Sequence, residues 1–390
     1  MVGSGSSETV RRSFRELRIQ PVARPDRLLS LDAFRGIAIA GMILVNNPGT
    51  WHSVYPALQH SEWNGCTPAD LIFPFFLFIV GVATTLSIVP SLERGVDRTN
   101  LLGKVLRRTL TVFALGIILN GFPLFDLSVL RIPGVLQRVA LCYFAASLAV
   151  LAVGVRGQSI TAAVLLVGYW ALLAWVPFSG HAAGTLVPDA NLPASVDGAV
   201  LHDHLLFPDW DPEGLLSTLG AIGTTLFGVL TGQWLRSGRS ASERALGLFI
   251  AGNAALLGGA VLSIWLPINK SLWTSSYAVF TAGVALNLFA MCYWLIDVKG
   301  YRRWAAPFVV YGTNSIVAYV LSSLLAKVFL LWTVPGPDGG RIPFQQFAFE
   351  SLFLRVASPL NASLLYALAW LMLWLGITAF LYRHRVVIKI

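Results

Sequence analysis

Charge is scarce along this chain: Asp, Glu, Lys and Arg together make up 12% of its 390 residues, whereas 56% are hydrophobic. Soluble domains carry about 25% charged residues, so a surface wetted all round is excluded. Acidic residues are rarer than basic ones, 19 against 28, and the formal net charge is +9. Cysteine is almost missing. Cys66, Cys142 and Cys292 stand far apart, which supplies neither a disulfide framework nor a thiolate metal site. His202 and His204 form an H-x-H pair around Asp203, too weak a signal by itself for a metal site, so no metal is expected. The first apolar run also lacks a small-residue cleavage site, and it reads as an uncleaved span rather than a signal peptide.

What the chain has instead is a succession of apolar windows of the length that crosses a bilayer, about 17 to 25 residues each. About ten recur, at roughly 31–48, 68–90, 105–122, 134–153, 159–176, 214–235, 244–266, 273–296, 304–332 and 361–382. The expected fold is an all-α integral membrane protein, a polytopic bundle of about ten transmembrane helices with both termini cytoplasmic. Charge placement supports that orientation. The basic clusters Arg11 to Arg27, Arg94 to Arg108, Arg156, Arg236 to Arg244, Lys299 to Arg303 and Arg383 to Lys389 fall on one side. Loops on the other side keep only Arg131, Lys270, Arg341 and Arg355. This is the positive-inside pattern, so the excess charge is assigned to topology and not to nucleic acid. Residues 1–28 read as a basic cytoplasmic tail and residues 29–390 as a single transmembrane domain. The longer outward connections, 49–67, 177–213 and 333–360, are the natural place for specificity.

A charge at bilayer depth costs about 2.5 to 3.5 kcal/mol on insertion scales, so the polar residues at span ends need reasons. In SLDAFRGIAIAGMILVNN, Ser30 and Asp32 suit a helix start. Arg35 gains nothing from that dipole; it either pairs with Asp32 or snorkels. Asn46 lies about three helical turns beyond Arg35, on the same stripe. In LQHSEWNGCTPADLIFPFFLFIVG, Thr67, Pro68 and Asp70 read as cap, first-turn proline and dipole-complementing carboxylate. His60 has no such role. A lone loop histidine is usually a solvated one, but Glu62, Trp63, Asn64 and Gly65 surround it with an orienting acid, an interfacial anchor and a tight turn. RIPGVLQR sets Arg138 a turn inside a span, where it should face the bundle interior or a wet cavity. In DPEGLLST helix capping alone explains Asp211 and Glu213. PINKSLWTSS brings Asn269, Lys270 and Trp273 to the outer side, and Asn314 falls mid-span in FVVYGTNSIVAY, where an interhelical hydrogen bond is the plain explanation.

The segments LDAFRGIAIAGMILVNN, QHSEWNGCTPADLIFPFFLFIVG, RIPGVLQRVALCYF, DPEGLLSTLGAI, PINKSLWTSSY and YGTNSIVAYV, in that order, carry a resemblance. From residue 28 onward the chain resembles the heparan-alpha-glucosaminide N-acetyltransferase family, including its bacterial relatives. The resemblance implies a membrane acyltransferase that moves acetyl from cytoplasmic acetyl-CoA to the amine or hydroxyl of a sugar on the extracytoplasmic side. Acetyl-CoA is then a donor substrate, with no permanently bound cofactor. The implied partners are acetyl-CoA, an amino sugar or glycan acceptor and the lipid bilayer; self-association is left open. The family's catalytic histidine falls on His60 and its neighbouring asparagine on Asn46. The broader transmembrane acyltransferases follow their arginine with a histidine; here Arg35 is followed by Asn46, which points to His60 as the base.

With an imidazole reference pKa near 6.5, His60 suits a general base near neutrality, or a transient acetyl carrier. Asp70 or Glu62 orients it, and Arg35, Asn64, Arg138, Asn269, Lys270 and Asn314 are the candidates for substrate and CoA contacts. The short N-terminal region points to a bacterial cytoplasmic membrane. A secondary transporter for a sugar is the rival reading.

Overall fold

Inside a bilayer a backbone must satisfy its own hydrogen bonds, so long apolar runs become helices. The computed structural model describes residues 28–336 and 340–388 and is mostly helical. The basic tail expected at 1–28 lies outside the described residues up to position 27, as does Lys389. In chain order the first elements are α1 (Leu29–Asn46), α2 (Ile72–Glu93, entered through a 3-10 turn at Pro68–Leu71), α3 (Arg98–Gly121), α4 (Val135–Ala152) and α5 (Val155–Trp175). A small hairpin, β1 (Leu186–Val187) and β2 (Ala190–Asn191), leads into α6 (Leu192–Leu201). There follow α7 (Thr218–Leu235), α8 (Ala241–Leu262), α9 (Ser275–Tyr293), α10 (Ala306–Thr313) and α11 (Ser315–Leu331). A second hairpin, β3 (Thr333–Pro335) with β4 (Arg341–Pro343), precedes α12 (Phe344–Ala348) and α13 (Pro359–Arg383).

Small residues set how the helices meet, because apolar side chains gain little from each other in lipid and close backbone approach must supply the attraction. A Cβ on Gly81 of α2 would sit 1.9 Å from the Thr225 carbonyl oxygen, and one on Gly228 of α7 would sit 2.0 Å from that of Phe78. Only glycine lets this pair close. The α8–α9 contact works the same way through Gly252, Gly259 and Gly283. Helix α2 therefore lies at the centre of the bundle, with Phe75, Phe76, Leu77 and Phe78 buried. By contrast α5, α8 and α13 bury only about a quarter of their most apolar windows, as helices facing lipid do.

Each of the expected spans coincides with a helical segment, yet among the described residues seven helices are individually long and apolar enough to cross a membrane, or eight counting one bent pair. The chain is a multi-pass membrane protein; the expectation of about ten is not reached by this test. The segments short of it are α3, whose first half carries Arg98, Lys104, Arg107 and Arg108, and α7, rich in glycine and threonine. Two boundaries also differ. The span expected to start at 214 begins at Thr218, because Asp211 caps a turn ahead of the helix. The span expected to run unbroken over 304–332 bends by 81° between α10 and α11. Asn314 causes the bend: its backbone leaves the helical region (φ −124°, ψ 39°), while its side-chain amide donates to the Val386 carbonyl and accepts from Ile388 N–H, each at 3.0 Å.

Candidate functional site

The loop between α1 and α2 folds onto the loop between α8 and α9. Gly65, at φ +114°, turns the chain so that its N–H donates to the Ile268 carbonyl at 2.8 Å, and Asn269 Nδ2 donates to Asn64 Oδ1 at 3.1 Å. Trp63 fixes the other flank, donating from Nε1 to the Leu186 carbonyl and meeting the Trp210 ring edge-on at 5.3 Å. These contacts bring Lys270 over His60.

At the centre lies Asp70, fully buried in the 3-10 turn that opens α2. Its Oδ2 accepts from the N–H groups of Ser61 and Thr67, both at 3.0 Å, and from the Thr67 hydroxyl. Its Oδ1 lies 2.8 Å from His60 Nδ1. Donors on every side keep Asp70 a carboxylate, and a carboxylate only accepts, so Nδ1 carries the proton and Nε2 the lone pair. This is the tautomer a general base needs. Lys270 Nζ lies 3.4 Å from Asp70 Oδ1, 2.9 Å from Nδ1 and 3.2 Å from Nε2 of His60. Burial holds the Lys270 ammonium below its ordinary pKa, with the charges of Asp70 and Glu213 opposing the shift. Cys66 is pushed up to about 12 by burial and by the Asp70 charge, which makes it a poor nucleophile.

Behind this cluster the hydroxyl of Tyr277 donates to the Asp70 backbone carbonyl at 2.7 Å, and the ring of Tyr277 stands edge-on to Trp273. Arg138 lies over the Trp273 ring at 5.2 Å, 1% exposed, donating from Nη2 to the Gly214 carbonyl and Ser217 hydroxyl. Among the described residues, its Nε and Nη1 have no hydrogen-bond partner. Nearby, Arg131 clamps Asp211 through two bonds, at 2.8 and 2.7 Å, and Glu213 through a third at 2.6 Å. Those carboxylates outweigh the burial of Arg131 and hold it above its ordinary pKa. Capping alone therefore does not account for Asp211 and Glu213.

Residues 27–189 match the model of the catalytic region of heparan-alpha-glucosaminide N-acetyltransferase. The human protein of that name is 31% identical over 365 residues, an alignment covering 79% of this chain and 54% of the human one; the mouse protein is likewise 31% identical. The chain belongs to this family. It spans about half the length of the curated relatives it matches.

Of the positions singled out in the sequence, this member of the family gathers His60, Asp70, Asn64, Asn269 and Lys270 into one cluster, with Arg138 one aromatic layer behind. Glu62 is exposed, so Asp70 is the acid that reaches His60. Asn46 ends α1 exposed and makes no hydrogen bond to His60. Arg35 and Asn314 belong to the opposite end, where Arg35 reaches Asp32 and the Gly312 carbonyl at 3.5 and 3.4 Å. Tyr277, Trp273, Arg131 and Asp197 were not legible as site residues. Asp197, 1% exposed, accepts from Leu215 N–H and is pushed up to about 6 by burial and by Asp211. Only their contacts distinguish them from ordinary interfacial aromatics and loop charges.

Proposed function

We propose that the protein is a membrane-embedded acetyltransferase that takes acetyl from cytoplasmic acetyl-CoA and delivers it to the amine or hydroxyl of a sugar on the extracytoplasmic side. The observation that carries this reading is the hydrogen bond from His60 Nδ1 to the buried Asp70, at 2.8 Å. It leaves the lone pair on Nε2, which Lys270 Nζ approaches at 3.2 Å, to take a proton from an attacking amine, and the fixed carboxylate stabilises the imidazolium that results. As the acceptor nitrogen attacks the thioester carbonyl, an amide forms, the carbon–sulfur bond breaks and the proton passes through His60 to the departing thiolate. Asn46, at the outer end of α1, donates to the carbonyl oxygen as charge develops. Asn64 and Asn269 hold the wall of the acceptor pocket, and the unpaired N–H groups of Arg138 face an anionic group of a substrate. Arg35, at the far end of α1, meets the CoA phosphates, and Asn314 shapes that end by anchoring the C-terminal segment.

Orientation with both ends cytoplasmic, one transmembrane unit from residue 29 onward and residence in a bacterial cytoplasmic membrane belong to the same proposal. The glucosaminide in the relatives' name makes glucosamine the first acceptor to try. Purified protein given acetyl-CoA and a panel of amino sugars should release CoA thiol only when an acceptor is present. Failure of every amine and hydroxyl acceptor, with CoA binding demonstrated, would sink the proposal. The transporter alternative gains nothing from the bent α10–α11 pair, since both amide groups of Asn314 are already taken by backbone.

A further inference from the structure

Lys270 has the chemistry of an acceptor and the position of one. The reaction proposed above needs an amine within hydrogen-bond reach of the His60 base, about 2.6 to 3.2 Å. Lys270 Nζ lies 3.2 Å from Nε2 of that ring and 2.9 Å from its Nδ1, and its side chain is only 18% exposed. Asp70 at 3.4 Å and the loop pairing of Asn64 with Asn269 hold it there. His60, Asp70, Cys66 and Glu213 are the titratable groups that act on it. Burial favours its neutral form, the form that attacks a carbonyl.

We infer that Lys270 is a self-acetylation site: when no sugar occupies the acceptor position, its Nζ takes the acetyl group from acetyl-CoA with His60 as the base. This rests on the acetyltransferase reading. The balance is that of the main reaction. The neutral amine attacks the thioester carbonyl, a carbon–nitrogen bond forms and the carbon–sulfur bond breaks. The electron pair leaves on sulfur, and the proton removed by His60 ends on the thiolate, giving Nζ-acetyl-lysine and free CoA. The amide is stable and uncharged, so it removes the cation from Asp70 and fills the space an acceptor amine needs. Self-acetylation therefore stops the enzyme when donor is abundant and acceptor is scarce.

The test uses the full chain in detergent with isotopically labelled acetyl-CoA, followed by peptide mass spectrometry over time. In the absence of sugar, the Lys270 peptide should gain label at least about tenfold faster than exposed Lys104 and Lys299, because a positioned amine reacts at high effective concentration. Glucosamine should protect Lys270, and folded His60→Ala should leave it unlabelled. Equal labelling of all three lysines, or labelling that persists in His60→Ala, overturns the inference. If the protein acetylates glucosamine but Lys270 stays bare when sugar is withheld, the inference is overturned too, while the acetyltransferase reading stays intact. Labelling of neither sugar nor Lys270 overturns both.

Discussion

Asp70 divides its two oxygens between two tasks: Oδ2 closes the turn that starts α2, and Oδ1 holds His60. The helix-start role was readable from Thr-Pro-x-Asp, whereas the proposed catalytic one needs a histidine ten positions earlier to fold back, which no local rule encodes. Asp70→Asn retains an oxygen for the turn but lets the ring turn over, and kcat should fall about 10²- to 10⁴-fold, as it should for His60→Ala. Steady-state thiol release, with thermal melts as a control for folding, separates lost chemistry from lost structure. A second residue gives a signed pH dependence. Asp197 has its pKa raised from 3.8 to about 6, so between those values the folded state binds more protons than the unfolded. Stability from this group is greatest below about 4 and declines as pH rises to about 6, by on the order of 2 kcal/mol. Asp197→Asn should flatten that decline in melting temperatures measured across the window.

Glycines mark the difference between a helix that packs and one that merely spans. Both Gly81 and Gly103 sit inside helices, and sequence alone treats them alike. A Cβ at Gly81 meets backbone atoms of α7, while at Gly103 nothing lies within 4 Å. Gly81→Ala should therefore cost about 1 to 3 kcal/mol by forcing α2 and α7 apart. Gly103→Ala should gain about 0.5 to 1 kcal/mol through helix propensity. Fluorescence-monitored melts of the two variants in the same detergent check both signs. The bend at Asn314 belongs to this scale as well. The apolar pattern runs through it without interruption, and the break becomes visible only once residues 386–388 are seen bonded to the asparagine.

Across the whole molecule, residues at the start of α1 and the C-terminal segment meet at one end, through Gly312 against Asp32 and Asn314 against Val386. His60 and Lys270 belong to the other end, beyond Asn46. Arg35 and Asn46 are eleven residues apart, so α1 alone separates them by roughly 16 Å at 1.5 Å per residue. The proposed orientation predicts that Ala57→Cys reacts with a membrane-impermeant thiol reagent in intact cells, and that Arg302→Cys reacts only after the membrane is opened. Native Cys142 and Cys292 are buried, and Cys66, with its pKa near 12, gives a low background. Reversed labelling would invert the orientation and move His60 to the donor side.

By itself the sequence determined the solvent and the helical class, because a long run of apolar side chains has no other stable state in a bilayer. Its short-range signals also located helix starts and singled out His60 as a residue that capping leaves unexplained. The tertiary structure alone decided which acid serves that histidine, that Lys270 lies against it, and that Arg138 is buried with donors to spare. Such pairings join residues 10, 210 and 76 positions apart. Periodicity reports which face of a helix turns inward, but only packing decides what that face meets.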